Sequence, residues 1–460
     1  MAGERQETNL RRELGLRDLI LAQVLCVVGS AWVGVAAKLG RSHVAFWLGA
    51  ILLYYIPLAA VVIYLNRLMP IEGGLYQWAK VGFNRFIGFL IGWNLWVYAV
   101  VMVGAILFTV PTDIAYMIGP AGAWIPSSKT ATLLINSMVV AAITLVAIRG
   151  LGIGKWLHNA GSMMILTAYV ILLGLPVWAL LRGTIAHYHP IPWQPPAPSW
   201  FSLAVFGQMT VGALSGFEYV AILAGECESP ARNVGRSVII SAPVIALMFI
   251  LGTSSVLTFN GGRSIDLIGP IPQTFRLAFG NTGPAASLAP LAILLLMARS
   301  IASASLLFTG LTRLPMTAGW DNLLPRWFTR LHPRWRTPVH SILFVAILVI
   351  AFTLLSMLGV REQEANQLLA NASIVHYAIA YVALFALPFL GNRMLREKLP
   401  AWLKVASMAG FASSLVAIFI SVYPIVDVVS RGAYAAKIGG TVILSNVIGV
   451  LIYRFGRGAS

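Results

Sequence analysis

The chain has 460 residues, of which 58% are hydrophobic and 10% are charged, and its formal net charge is +17. Ordinary soluble domains carry about 25% charged residues, so this composition excludes a soluble globular protein and indicates an all-α polytopic membrane protein whose surroundings are the lipid bilayer. The excess of basic residues does not indicate a nucleic-acid partner, because Lys and Arg are scattered between apolar runs and form no single patch.

Apolar runs of about 20 residues, the length that crosses a hydrocarbon core, recur along the chain and predict twelve membrane spans. Numbered in chain order, spans 1 to 12 cover residues 16–37, 44–65, 86–108, 131–148, 160–181, 201–225, 238–259, 285–311, 341–358, 367–390, 402–424 and 438–453. The loops on the side of the N-terminus hold more than twice as many Lys and Arg as the opposite loops. Because cytoplasmic loops collect basic residues, a multi-pass protein of the cell membrane with both termini in the cytoplasm is predicted.

A proline-rich connection from Arg182 to Trp200 divides the predicted spans. It predicts a cytoplasmic tail over 1–15, a first repeat of five spans over 16–198 and a second repeat of five spans over 199–390. The last two spans and a short C-terminal tail then occupy 391–460. Since each repeat has an odd number of spans, the two enter the membrane from opposite faces and are predicted to be inverted repeats. Transporters built in this way interrupt the same helix in each repeat.

Paired glycines lie in the middle of the first span of each predicted repeat. The candidate substrate-binding residues there are Gly29, Ser30, Ala31, Trp32, Val33 and Gly34 in span 1, and Gly212, Ala213, Leu214, Ser215, Gly216 and Phe217 in span 6. Glycine in a helix interior costs about 1 kcal/mol relative to alanine, so the backbone can open at these places. Close helix packing through small residues is the alternative interpretation of either pair. The matching positions of the two pairs favour discontinuous helices 1 and 6.

Two interrupted helices that meet inside a membrane protein suit a zwitterionic ligand. The N–H groups at the start of a helix carry partial positive charge and bind anions. The backbone from Ser30 to Trp32 is therefore predicted to bind the carboxylate of the ligand. Unpaired carbonyl groups from Ala213 to Ser215 would accept hydrogen bonds from an ammonium group. An α-amino acid presents both groups, and it is therefore the predicted small-molecule substrate.

Four segments of the chain carry motifs of a known family. They are Pro70-Ile71-Glu72-Gly73-Gly74-Leu75-Tyr76, Ser215-Gly216-Phe217-Glu218, the series Glu226, Pro230, Arg232, Asn233, and the block from Thr312-Arg313-Leu314 through Asp321 and Pro325 to Thr337-Pro338-Val339. They resemble, in the expected order, the P-x-x-G-G-x-Y, S/x-G-F/V-E, E-x-x-x-P-x-R-N and S/T-R…D-x-L-P…T-P-V motifs of amino acid permeases of the amino acid–polyamine–organocation (APC) superfamily. The resemblance implies a LeuT-like fold of twelve transmembrane helices in a 5+5 inverted repeat, and amino acid transport.

The chain departs from the family pattern at places that bear on gating and coupling. Some relatives carry a gating tryptophan where this chain has Gly212, so an aromatic lid is expected from Trp32 or Phe217. Some proton-coupled relatives carry a lysine in span 5 where sodium would otherwise bind, and residues 158–181 contain no lysine. Proton coupling and sodium coupling therefore both stay open. No cofactor and no metal site are expected, and the sequence does not indicate an oligomeric state.

Ionisable residues at membrane depth are candidates for coupling and gating. Glu218 is either a proton acceptor or, as favoured, a structural residue that accepts hydrogen bonds from neighbouring spans and holds the unwound segment. Arg299 in span 8 is predicted to face a cavity near Ser303 or to pair with an acid, for which Glu218 is the candidate. In the cavity it would bind an anion or take the place of a cation. If the span is shifted along the sequence, Arg299 reaches the membrane surface instead. Glu226 is assigned to an ion-pair cluster at the inner gate, and Tyr98 of span 3 to the pocket lining.

These patterns predict a secondary active transporter for an amino acid or related amine, working by alternating access. An exchanger of amino acids or amines is the alternative within the same class. A membrane-embedded enzyme would need a nucleophile–base pair or metal cluster within the spans, which the sequence does not suggest, and a non-transporting receptor would be expected to carry a long soluble domain. No G-x-x-x-x-G-K-[ST] motif, which would indicate nucleotide binding, occurs.

Overall fold

The computed structural model describes residues 14–69, 74–218, 227–280, 283–317, 323 and 326–456. Within these ranges the chain is helical, and only Leu14 and Cys227 form an isolated bridge of the strand type. The all-helical class predicted from composition is thus confirmed. The first motif up to Gly73, the candidate gate residue Glu226 and span 6 beyond Glu218 lie outside the described residues.

The helices of the first predicted repeat follow the apolar runs. Leu16–Val27 and Ser30–Ala37 form span 1; His43–Ala50, the π-helical turn Ile51–Tyr55 and Ile56–Leu68 form span 2; Leu75–Gly82 precedes span 3; Arg85–Leu107 is span 3 and Thr109–Ile118 extends it; Trp124–Ser127 is a short connecting helix; Lys129–Arg149 and Leu151–Leu181 are spans 4 and 5.

The helices of the second predicted repeat and the last two spans are placed in the same way. Trp200–Gly207 and the π-helical turn Gln208–Ala213 form the described part of span 6; Pro230–Asn260 is span 7; Pro270–Phe279 lies between spans 7 and 8; Leu288–Thr317 is span 8; Arg326–Thr329 precedes span 9, Val339–Ser356; Glu362–Leu390 is span 10; Arg393–Lys398 precedes span 11, Ala401–Ile420; Arg431–Gly456 is span 12.

The number of membrane-crossing helices agrees with a polytopic membrane protein. Among the described residues, ten helices are long and apolar enough to cross a membrane, and the bent pair of span 1 makes an eleventh. Since span 6 is described only to Glu218, the total of twelve and the inverted repeat stay predictions. Large apolar side chains such as Met138, Leu181 and Phe419 are exposed on the outside of the bundle, where a bilayer solvates them as well as a protein core would.

Spans 3, 8 and 10 form the centre of the bundle. In span 3, 89% of the apolar stretch is buried, and the fractions for spans 10 and 8 are 78% and 67%, whereas span 12 has only 11%. A helix that is apolar all round is expected at the core of a large bundle. The central position of these three helices puts their side chains next to the interruptions in spans 1 and 6.

Span 1 is interrupted between its two helices. The first helix ends at Val27, Val28 and Gly29 adopt extended backbone angles, and the second helix begins at Ser30. The two parts are bent by 44° with respect to each other. The interruption lies at Gly29, the first glycine of the pair from which it was predicted.

Span 6 is interrupted in two stages. Its α-helix widens into the π-helical turn over Gln208–Ala213, and the backbone from Leu214 to Gly216 is not helical. Gly216 has φ of +123°, a conformation that glycine adopts without strain and other residues rarely do. Helical geometry resumes at Phe217 and Glu218.

A second π-helical turn, in span 2, faces the interruption of span 6. The extra residue in the turn Ile51–Tyr55 directs the buried side chains of Tyr54 and Tyr55 inward. The Tyr54 hydroxyl lies 2.7 Å from Ser215 Oγ, and the Tyr55 ring stacks on Phe217 with centroids 4.8 Å apart. Single π turns of this kind are frequent at functional sites, and this one supports the open backbone of span 6.

Candidate substrate-binding site

A cavity of about 70 Å³ lies between the interruptions of spans 1 and 6. Of the residues singled out in the sequence, those that line it are Gly29, Ser30, Ala31, Trp32, Tyr98, Gly212, Ser215, Arg299 and Ser303. The structure adds residues that no pattern indicated, namely Met102 and Ile106 of span 3, Ile268, Leu307 of span 8, and Asn366 and Gln367 of span 10. Spans 1, 3, 6, 8 and 10 therefore all contribute to one enclosed site.

Several candidate residues do not reach the cavity. Gly34 lies on the other side of its helix, where a Cβ atom would be 2.7 Å from Pro270 Cβ, so close packing is the better explanation of this glycine. Val33 is buried against Gly252 of span 7. The side chains at 213, 214, 217 and 218 are buried and do not line the cavity either. Gly216 is also absent from the lining and lies against Val27 and Cys26 of span 1.

Two backbone N–H groups at the start of the second half of span 1 are free to bind a ligand. Ser30 and Ala31 begin the helix Ser30–Ala37, and within the described part of the chain neither N–H has a hydrogen-bond acceptor. The N–H of Trp32 is engaged, because it donates to the carbonyl of Gly29 at 3.4 Å. Of the three predicted donors, the structure leaves two available, both at the positive end of a helix dipole.

The indole of Trp32 joins the two interruptions. A Cβ atom on Gly29 would lie 2.7 Å from Trp32 Cδ1, and a Cβ atom on Gly212 would lie 2.8 Å from Trp32 Cη2. Both glycines therefore make room for the same ring. Trp32 lines the cavity, whereas Phe217 is fully buried and stacks on Tyr55. Of the two residues expected to supply an aromatic lid, Trp32 occupies the space beside Gly212.

Glu218 is held by two tyrosines of span 10. The hydroxyl of Tyr377 donates to Oε1, and the hydroxyl of Tyr381 donates to Oε2 at 2.6 Å. The Tyr381 oxygen also accepts from the Gly216 N–H at 3.1 Å. These contacts agree with the favoured structural interpretation of Glu218. The sequence analysis missed both tyrosines, although their spacing of four residues puts them on one helix face.

Arg299 caps the first half of span 1. Its Nη2 donates to the carbonyl oxygens of Leu25, at 3.3 Å, and Val28, and Ser303 Oγ donates to Leu25 O at 3.3 Å. The last carbonyl groups of a helix lack partners within it and carry partial negative charge, which explains the position of a cation here. The predicted ion pair with Glu218 is wrong, because both carboxylate oxygens are bound by tyrosines. The guanidinium is buried and lines the cavity, so the alternative of a surface position is excluded as well.

A wider vestibule opens on the side of the molecule away from the described ends of the chain. It has a volume of about 1040 Å³, and its charged lining includes Lys38, Lys129, Asp266, Arg361, Glu362 and Asp427. A smaller adjoining cavity of about 360 Å³ is lined by Thr112, Tyr116, Asp266, Ile268 and Glu362. Ile268 also lines the cavity between the interruptions. The candidate site therefore borders the smaller cavity across this apolar side chain, and the smaller cavity shares Tyr116, Asp266 and Glu362 with the vestibule.

Comparison with known proteins relates this architecture to membrane transporters. The chain is 25% identical over 388 residues to an uncharacterized transporter of Legionella pneumophila, covering 82% of this chain and 80% of the relative. It is 22% identical to the probable agmatine/putrescine antiporter AguD of Lactococcus lactis, covering 87% and 84% of the two chains. It is 24% identical to the branched-chain amino acid permease BcaP of Bacillus subtilis, covering 72% of each.

A site between two interrupted helices, in a bundle with an apolar exterior, is the arrangement of multi-pass membrane transporters, and the relatives are named as transporters and permeases. The family model described as amino acid permease matches residues 14–451. The chain belongs to this family, which confirms the resemblance found in its motifs, and its substrate is a small molecule of the amino acid or amine class.

Proposed function

We propose that the protein is a secondary active transporter that carries an amino acid across the cell membrane by alternating access, with both termini in the cytoplasm. One observation carries the proposal: Ser30 and Ala31, whose N–H groups have no acceptor in the described structure, line the same cavity as Gly212 in the last turn of Gln208–Ala213 and Ser215 just after it. The last carbonyls of a helix have no partner within it. A carboxylate can therefore bind at span 1 while an ammonium group binds at span 6.

The charge of the cavity favours an amino acid over a diamine. Arg299 is the only charged side chain among the described residues that line it, and no carboxylate lines it. A second ammonium group would be buried without a counter-ion, which costs several kcal/mol. AguD is named for agmatine and putrescine; among the described residues of the present site there is no acid to pair with such cations.

The remaining lining favours a neutral, apolar side chain on the substrate. Met102, Ile106, Ile268 and Leu307 supply apolar contacts in the cavity, and the polar side chains of Thr109, Asn366 and Gln367 that line it with them are uncharged. Burial of apolar surface contributes about 25 cal/mol per Å², so an aliphatic substrate gains affinity that a polar one does not. BcaP is named for branched-chain amino acids, which agrees with this choice.

Sodium is not required at the interruption of span 1. The Leu25 and Val28 carbonyls and the Ser303 hydroxyl are the oxygen atoms that could surround a cation there, and Arg299 already contributes a positive charge to them. We therefore propose that transport does not depend on sodium and is coupled to protons. Exchange of one solute for another is the second mode to test, because one relative is named as an antiporter.

The test is uptake and counterflow by purified protein in liposomes. Leucine, isoleucine and valine are expected to exchange fastest, glutamate and lysine much more slowly, and putrescine not at all. Replacing sodium by choline on both sides of the membrane is expected to leave the rates unchanged. Absence of uptake, exchange and binding for a full amino acid panel would overturn the proposal, and rates that follow the sodium concentration would overturn its coupling part.

A further inference from the structure

One buried carboxylate near the site has no partner. Asp113 lies in the helix Thr109–Ile118 that extends span 3, and it is 2% exposed. Its Oδ2 atom is buried and makes no hydrogen bond within the described residues. A charged carboxylate without a partner costs several kcal/mol in the interior of a protein. The group is therefore expected to be neutral in this conformation and ready to accept a partner in another.

The cation on the neighbouring span 8 is also incompletely paired. Arg299 donates through Nη2 to span 1, but its Nε atom is buried and has no acceptor in the described structure. Span 8, which carries Arg299, packs directly against the helix of Asp113. An unused acceptor and an unused charge-assisted donor thus lie on two helices in contact.

We propose that Asp113 is the alternative partner of Arg299 in the transport cycle, and that a proton on Asp113 keeps Arg299 on span 1. This rests on the proposed function. With Asp113 protonated, Arg299 has no competing anion and caps the Leu25 and Val28 carbonyls, as in the structure. When the proton leaves, the carboxylate and the guanidinium form an ion pair, and the first half of span 1 is released.

The surroundings of Asp113 provide a route for the proton. Tyr116 follows Asp113 by three residues on the same helix, and its hydroxyl donates at 2.9 Å to Asp266, which lies beside the helix Pro270–Phe279. Glu362, at the start of span 10, accepts from Thr112, the residue before Asp113. Tyr116, Asp266 and Glu362 all line the vestibule. A proton taken up from the vestibule with the substrate and released on the opposite side would couple each transport step to one proton.

The decisive variant is Asp113→Asn, which fixes a neutral group of the same shape. In liposomes with a pH gradient of one unit, acid outside, and the membrane potential held at zero, wild type is expected to accumulate substrate about tenfold, since one proton per zwitterionic substrate then supplies a tenfold concentration ratio. The variant is expected to exchange substrate but to reach an accumulation ratio of about one, and its exchange rate is expected not to vary with pH. The matched control Asp427→Asn removes an exposed vestibule carboxylate and is expected to accumulate like wild type.

Each result decides the proposal. Tenfold accumulation by Asp113→Asn, or loss of accumulation in Asp427→Asn as well, would overturn it. If Asp113→Asn does not fold, Asp113→Glu takes its place: accumulation should persist while the pH profile of exchange shifts, and an unshifted profile contradicts the role of Asp113. Wild-type protein that exchanges no amino acid refutes the proposed transport itself. Wild-type exchange without proton-driven accumulation leaves amino acid transport standing and refutes proton coupling together with the role of Asp113. Proton-driven accumulation that survives in Asp113→Asn refutes the role of Asp113 alone.

Discussion

At the scale of single residues, the site depends on small side chains that admit one large ring. Trp32 contacts Gly29 in its own span and Gly212 in span 6, so the indole ties the two interruptions together. The glycine pairs alone predicted open backbone at both places. They did not predict that one tryptophan would fill the room that both glycines leave, because this contact joins residues far apart in the sequence.

A methyl group at Gly212 tests this contact. In Gly212→Ala the Cβ atom would lie 2.8 Å from Trp32 Cη2 and 3.0 Å from Ile374 Cδ1, so the ring must move. Overpacking of this kind costs about 1–3 kcal/mol. We expect a lower melting temperature and a higher KM for exchange in liposomes.

A second substitution separates ring displacement from a general effect on the helix. Trp32→Phe in the Gly212→Ala background shortens the ring and is expected to restore the melting temperature in part, giving a coupling energy in a double-mutant cycle. Gly439→Ala is the matched control, because no atom lies within 4 Å of a Cβ atom there. Additive effects of the two substitutions would contradict the proposed contact.

At the scale of helices, span 10 holds the interruption of span 6 in place. Tyr381 accepts from the Gly216 N–H and donates to Glu218, and Tyr377 donates to the other carboxylate oxygen. A buried group that loses its partner costs about 1–3 kcal/mol. The unwound segment therefore depends on a helix that carries no break of its own.

Tyr381→Phe removes the two hydrogen bonds of the Tyr381 hydroxyl, to Gly216 and to Glu218, with little change in the shape of the side chain. The melting temperature and the exchange rate are expected to fall together, because Gly216 and Glu218 each lose a partner. Tyr64→Phe is the control: this half-buried tyrosine of span 2 packs edge-on against Trp402, and its substitution should leave both quantities near wild type.

Glu218→Gln should, like Tyr381→Phe, lower the melting temperature, yet it should keep proton-driven accumulation. Loss of accumulation at an unchanged melting temperature would assign the transported proton to Glu218 instead.

Some features of the helices could be predicted from the sequence and others could not. Apolar length predicted the positions of the spans, since a bilayer demands about 20 apolar residues from each. The contribution of span 10 was missed, because a helix buried on all sides shows no amphipathic stripe that marks one face. The pairing of Arg299 was also wrong: charge alone suggested an acid, whereas the tilt of span 1 brings the carbonyls of Leu25 and Val28 within its reach.

At the scale of the whole molecule, the vestibule and the distribution of basic residues together predict the side of the membrane from which the site is reached. The large cavity opens on the side away from the described chain ends, and the smaller cavity that adjoins it borders the candidate site through Ile268. The basic loops lie on the other side. If these loops are cytoplasmic, as the positive-inside rule predicts, then the vestibule faces outward and the site is loaded from outside in this conformation.

Labelling of single cysteines measures this orientation directly. With Cys26 and Cys227 replaced by serine, Ala197→Cys places a thiol in the exposed connection between spans 5 and 6, and Lys398→Cys places one between spans 10 and 11. In intact cells a membrane-impermeant maleimide is expected to label Ala197→Cys at once and Lys398→Cys only after permeabilisation. Both sites are exposed on the surface of the protein, so a difference in labelling reports the side of the membrane and not burial. The reverse order of labelling would place the vestibule on the cytoplasmic side, and the proton and the substrate would then enter the described conformation from within the cell.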